Sequence, residues 1–146
     1  MGNHVRRQIR EAVTAALAGG TAGSHVYAAR TLPLARDILP ALLVATDEER
    51  VDVASIHSPQ LLERRLTVTV RGVAKAANDV DDVLDALLKD TETALAGNTL
   101  GGLCKGLYLT SVSVQLDGST DADVGIVEAA FSADFFTAGN VPDVSL

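Results

Sequence analysis

The chain has 146 residues, 12 basic and 19 acidic, for a formal net charge of −7, and 47% of it is apolar. That apolar share excludes a disordered chain, and the longest apolar run, residues 38–45, is far short of the roughly 20 residues a membrane helix needs, so no membrane partner is expected. A net acidic chain lacks the Lys/Arg surplus with which proteins hold nucleic acid.

The length suits one domain, residues 1–146. The single cysteine, Cys104, excludes an intramolecular disulfide framework and any thiolate-rich metal site. With 22 alanines and 12 glycines the core is built from small side chains, which gives the domain a motive to gain burial against copies of itself. Charge is uneven: residues 1–75 carry 10 basic and 7 acidic groups, net +3, and residues 76–146 carry 2 and 12, net −10. Such asymmetry suits head-to-tail association of subunits.

Residues 3–18 read as a helix, because Val5, Ile9, Val13, Ala16 and Leu17 recur at helical spacing before Gly19-Gly20; Arg6, Arg7 and Arg10 lie on its other face. Residues 21–39 are irregular, broken by Pro33 and Pro40, with room for a short strand at 25–29. Residues 41–46 read as a buried strand ending in a charged turn, Asp47-Glu48-Glu49-Arg50. A long excursion, residues 47–60, then leads to the clearest strand, residues 65–71, where Leu66, Val68 and Val70 alternate with Thr67, Thr69 and Arg71. A second helix covers residues 79–96, with Asn78 as its expected cap, Val80, Val83, Leu84, Leu87, Leu88, Thr91 and Leu95 as its apolar stripe, and Gly97 as its stop. Asp79, Asp81 and Asp82 complement the helix dipole there and make a helix start rather than a metal site.

Strands at residues 106–116 and 124–137 close the chain across a polar turn at 117–121; a change of apolar parity between Leu109 and Val112 predicts a bulge near Thr110-Ser111. The expected fold is α+β, a four-stranded, mostly antiparallel sheet of order 1-2-4-3 with two helices packed on it. Its elements run α-β-β-α-β-β, with a long excursion between the first two strands.

No catalytic pattern emerges, and no cofactor is expected. No G-x-S-x-G surrounds any serine, and the Gly-rich residues 97–106 leave a helix and enter a strand, the reverse of a phosphate-binding loop, so they read as a helix cap and turn. Cys104 reads as buried or incidental rather than reactive. Among the histidines only His57, before Ser58-Pro59, suggests a loop contact.

Taken together, the opening helix Val5-Arg6-Arg7-Gln8-Ile9-Arg10, the Leu39-Pro40-Ala41-Leu42-Leu43-Val44 strand running into Thr46-Asp47-Glu48-Glu49, Leu62-Glu63-Arg64-Arg65-Leu66-Thr67-Val68, the helix through Leu84 to Ala96, and the closing Tyr108-Leu109-Thr110-Ser111, Phe135-Phe136-Thr137 and Pro142-Asp143 resemble the tail terminator (tail completion) proteins of long-tailed phages, prophages and gene transfer particles, the minor tail protein U type. The resemblance implies a structural virion protein rather than an enzyme. Made in the host cytoplasm, it would sit at the head-proximal end of the tail as a homo-oligomeric ring, usually of six subunits. Its partners would be itself, the major tail-tube protein, whose growth it halts, and the head-to-tail connector or neck protein, with DNA only passing through the lumen. On that analogy Asp47, Glu48, Glu49, Arg50, Asp52 and His57 in the excursion, with Arg64 and Arg65, are the expected subunit and tube contacts. Two other readings stay open: a small oligomeric α+β ligand-binding domain or enzyme, and another head-to-tail adaptor of the same particle.

Overall fold

A computed structural model describes residues 2–28, 39–75, 78–117 and 124–146. Helix α1 (Val5–Leu17) forms on the expected stripe, burying Val5, Ile9, Val13 and Leu17. His4 caps it, its Nδ1 accepting the Arg6 backbone N–H at 3.1 Å and so satisfying one of the donors a helix start leaves open. Strands β1 (Val26–Tyr27), β2 (Ala41–Ser55) and β3 (Leu61–Lys75) follow, then helix α2 (Val80–Leu95) and strands β4 (Leu107–Asp117) and β5 (Val124–Ala138).

The sheet order is β1-β2-β3-β5-β4. The four long strands therefore take the expected order, and every pairing among them is antiparallel. Two details differ from the expectation. The sheet has five strands and is mixed, because β1 adds in parallel beside Leu42 and Leu43. The element order is accordingly α-β-β-β-α-β-β. Two residues suffice for this, since the Leu42 N–H finds the His25 carbonyl at 2.9 Å and the start of β2 is thereby paired on both sides.

The expected charged turn is likewise a strand. β2 runs through Asp47, Glu48, Glu49 and Arg50, and its register moves from Thr46 opposite Val68 to Glu49 opposite Leu66, so Asp47 and Glu48 share one partner, Thr67. This is a bulge, and the extra residue reverses which side chains point to the helices: Leu42, Val44 and Thr46 before it, Glu49, Val51 and Val53 after it. The excursion is therefore a long β2–β3 hairpin. A further register shift falls between Val53 and Ser55, near the hairpin tip, and the bulge expected near Thr110-Ser111 lies where expected, between Leu109 and Ser111.

Both helices lie on one face of the sheet, α1 toward β1 and β2 and α2 over β3 and β5, each touching the other. Between them and the sheet sit Leu66, Val68, Phe131, Phe135, Leu84 and Leu87, all 1% exposed or less. Helix α2 starts one residue later than the Asn78 cap predicts: Asp79 is its N-cap, with no side-chain cap bond, and Asp81 and Asp82 occupy the first turn. Close approach of α2 to β5 requires Gly125, where a Cβ would come within 2.5 Å of Val80 Cγ2 and 3.0 Å of Leu84 Cδ1. The Gly-rich residues form the expected cap and turn. Asn98 accepts the Leu100 N–H at 2.8 Å and donates to the Ala94 carbonyl at 3.0 Å. Of the turn expected at 117–121, Asp117 is the last residue of β4; the rest of it, like Pro33, lies outside the described residues.

Candidate assembly surface

The eight residues expected at an interface all fall on the β2–β3 hairpin or its tip, and the structure divides them. Glu49 and Arg64 point toward the helix side and find each other, Nη1 to Oε2 at 2.9 Å, with both side chains about nine-tenths buried. Arg64 Nε also donates to Thr137 Oγ1 at 2.8 Å on β5. The pair ties three strands together, and Thr137, fully buried, is the partner that sequence reasoning did not find. Its signal was available: a threonine at an inward position of an apolar strand requires a hydrogen-bond partner.

His4 lies close enough to this pair to respond to it. Burial and the guanidinium groups of Arg64 and Arg6 hold its pKa below the ordinary histidine range, and Glu49 opposes them. Cys104 is buried, and burial pushes its thiol up, away from the thiolate that reactive cysteines need.

Asp47 works locally: its carboxylate accepts the Thr69 hydroxyl, and its carbonyl accepts Arg6 Nη2 at 3.1 Å. Arg10 Nη1 reaches Thr46 Oγ1 at 3.0 Å. The cationic face of α1 thus supports the bulge in β2, and of its three arginines Arg7 pairs within the helix, with Glu11 at 2.9 Å.

Glu48, Arg50, Asp52, His57 and Arg65 are exposed. Glu48, Arg50 and Arg65, with Thr67 and Ser132, line a shallow polar depression on the face of the sheet that bears no helix. Across the ladder Arg50 stands opposite Arg65 and Asp52 opposite Glu63. Like charges directly opposite each other oppose pairing, and the Arg65–Glu63 contact at 3.7 Å offsets this only weakly between half-exposed groups. Among the described residues the hairpin's outer half therefore displays exposed charge with only this weak ion pair within it. It also displays Val51, Val53 and, at its tip, Ile56, which is 93% exposed.

No family model and no curated protein matches the sequence. Among solved structures the match is informative. The chain is similar to a chain of the "Virion of native gene transfer agent (GTA) particle". Identity is 26%, the TM-score is 0.50, and the similarity covers 90% of each chain. No helix among the described residues is long and apolar enough to cross a membrane.

Proposed function

We propose that the protein is a structural virion component, and within that class a tail terminator: a ring subunit that caps the tail tube, stops its growth and provides the joint to the head connector. The observation that carries the reading is the similarity over 90% of both chains to a chain of a gene transfer agent virion. The outer half of the β2–β3 hairpin supports it, because a small sheet that projects exposed charge and exposed valines offers contacts to neighbours. On this reading Glu48, Arg50, Asp52, His57 and Arg65 touch the adjoining subunit, the tube or the connector. Asp47, Glu49 and Arg64 hold the hairpin at its base.

The test is the addition of the protein to its own particle's tail-tube subunit during polymerisation, followed by electron microscopy of tube lengths. Short tubes carrying a density at one end are expected. Tubes of unchanged length with bare ends overturn the terminator role, and binding to an isolated connector in that case identifies a neck adaptor.

A further inference from the structure

Helix α1 begins with an uncommon cap. Serine, threonine, asparagine and aspartate, the usual choices, offer an oxygen that accepts throughout the pH range in which histidine titrates. His4 offers Nδ1 instead, which takes the Arg6 backbone N–H at 3.1 Å. A ring nitrogen accepts only while it carries no hydrogen, so the capping imidazole is neutral and holds its hydrogen on Nε2. Protonation places a hydrogen on Nδ1 as well, and the charged ring cannot make this cap.

The base of the hairpin gives the charged ring a second place. In the Glu49–Arg64 pair only one carboxylate oxygen is used, Oε2, at 2.9 Å from Arg64 Nη1. The other, Oε1, is buried and has no hydrogen-bond partner among the described residues. Leaving a buried carboxylate oxygen without a donor is costly, and a cationic N–H is the donor that suits it best. Burial, Arg64 and Arg6 oppose the protonation of His4, and Glu49 favours it. Of the other carboxylates nearby, Asp143 beyond β5 takes the Gly2 N–H at 3.3 Å, and that of Asp47 takes the Thr69 hydroxyl on the opposite face of the sheet. Arg6 joins the cap to the hairpin, because its backbone N–H goes to His4 and its Nη2 to the Asp47 carbonyl at the β2 bulge, 3.1 Å in each case.

We propose that His4 is a proton-operated latch between α1 and the base of the β2–β3 hairpin: neutral, it caps α1, and protonated, it gives up the Arg6 N–H and donates to Glu49 Oε1. In acid the first turn of α1 then rests on the Val5 N–H bond to the Pro142 carbonyl and loosens, and the hold of Arg6 on the bulge loosens with it. Arg64 shares Glu49 with a second cation and keeps Thr137. The latch belongs to the single chain and does not depend on the ring.

The test is an NMR titration of the whole chain from about pH 7.5 to about pH 5, which spans the histidine range. It follows the His4 ring, the Arg64 Nε–H and the exchange protection of the Arg6 amide, corrected for the intrinsic pH dependence of exchange. His4 titrates below about 6.5, and at the same midpoint the Arg6 amide loses about fivefold or more of its protection, the equivalent of one lost cap, while the Arg64 signal moves. His4→Asn, which keeps a cap oxygen and does not titrate, abolishes both changes. Glu49→Gln keeps an acceptor for Arg64 and removes the charge, so it lowers the His4 midpoint and reduces the movement of the Arg64 signal. A His4 ring that titrates while the Arg6 amide keeps its protection overturns the latch, as does a loss of protection that persists in His4→Asn. A midpoint that Glu49→Gln leaves unchanged also overturns it, because Glu49 is then not the second partner.

Discussion

The middle of the β3–β5 ladder and the outer half of β2 are strands of the same alternating kind placed under different obligations. In the ladder, Leu66, Val68 and Val70 on β3 and Val127, Ala129 and Phe131 on β5 are all 3% exposed or less, because α2 lies over them. On β2 beyond its first bulge, Val51 and Val53 occupy the same face of the same sheet, with no helix above them among the described residues. Backbone pairing runs through both regions, unbroken in the β3–β5 ladder and with a register shift between Val53 and Ser55 in the outer half of β2. Burial, and with it most of the stabilisation, comes only where a second layer is present. The outer half is held instead at its base, by the Glu49–Arg64 pair and Thr137.

The contrast is broken most severely from the ladder side. Phe131→Ala, at a fully buried position, is expected to cost about 3–5 kcal/mol in a denaturant melt, the range for truncating a core aromatic. A cost below about 1 kcal/mol would place the stability of the domain elsewhere.

Next comes the base of the hairpin. Arg64→Ala leaves Glu49 buried and unpaired and is expected to cost about 3 kcal/mol, whereas Arg64→Met with Glu49→Leu recovers most of it, since an apolar pair of similar volume replaces a buried ion pair at little net cost. Equal losses in the two variants would show that the ion pair itself, rather than the cost of a stranded Glu49, holds the base of the hairpin.

Gly125→Val sharpens the role of the covering helix. The added side chain meets Val80 and Leu84, displaces the first turn of α2 and costs about 1–3 kcal/mol by overpacking. Hydrogen exchange is expected to quicken along β5 and α2 and to stay unchanged in the outer half of β2.

A smaller effect is pH-dependent. The His4 pKa is lowered in the folded chain, so between that value and the ordinary histidine pKa of about 6.5 the unfolded chain binds the extra proton. Its contribution to stability is complete above that ordinary value and is lost as pH falls through the folded one. His4→Asn keeps an N-cap oxygen and removes the titration, so its melting temperature is expected to depend less on pH between about 5 and 7. An unchanged pH profile would exclude His4 as the source. The smallest stability change is expected at the edge: Val114→Lys shifts the melt by no more than about 0.5 kcal/mol, because 53% of that valine is already in water.

Much of the fold is legible in local spacing. The stripe of α1 and the alternation in residues 65–71 and 124–137 state which side of an element is buried, and the parity change at Leu109 states where β4 bulges; the structure agrees with all three. The candidate site was legible as a segment but not as an arrangement. A run of Asp47, Glu48, Glu49 and Arg50 reads as a turn because charged residues are rare inside strands. Only the register against Leu66 and Thr67 turns it into a bulge. Nor does spacing separate Arg64 from Arg65: the first is enclosed with Glu49, fifteen residues away, and the second is exposed.

By itself the sequence determined the α+β class, the two helices with the face each buries, and the cores of the four long strands, because helical and strand periodicity depend on neighbours a few residues apart. Tertiary structure decided which strands stand at the edges, which charges are paired and which valines stay in water. Those outcomes depend on what is packed against a residue from elsewhere in the chain, and periodicity carries no record of it.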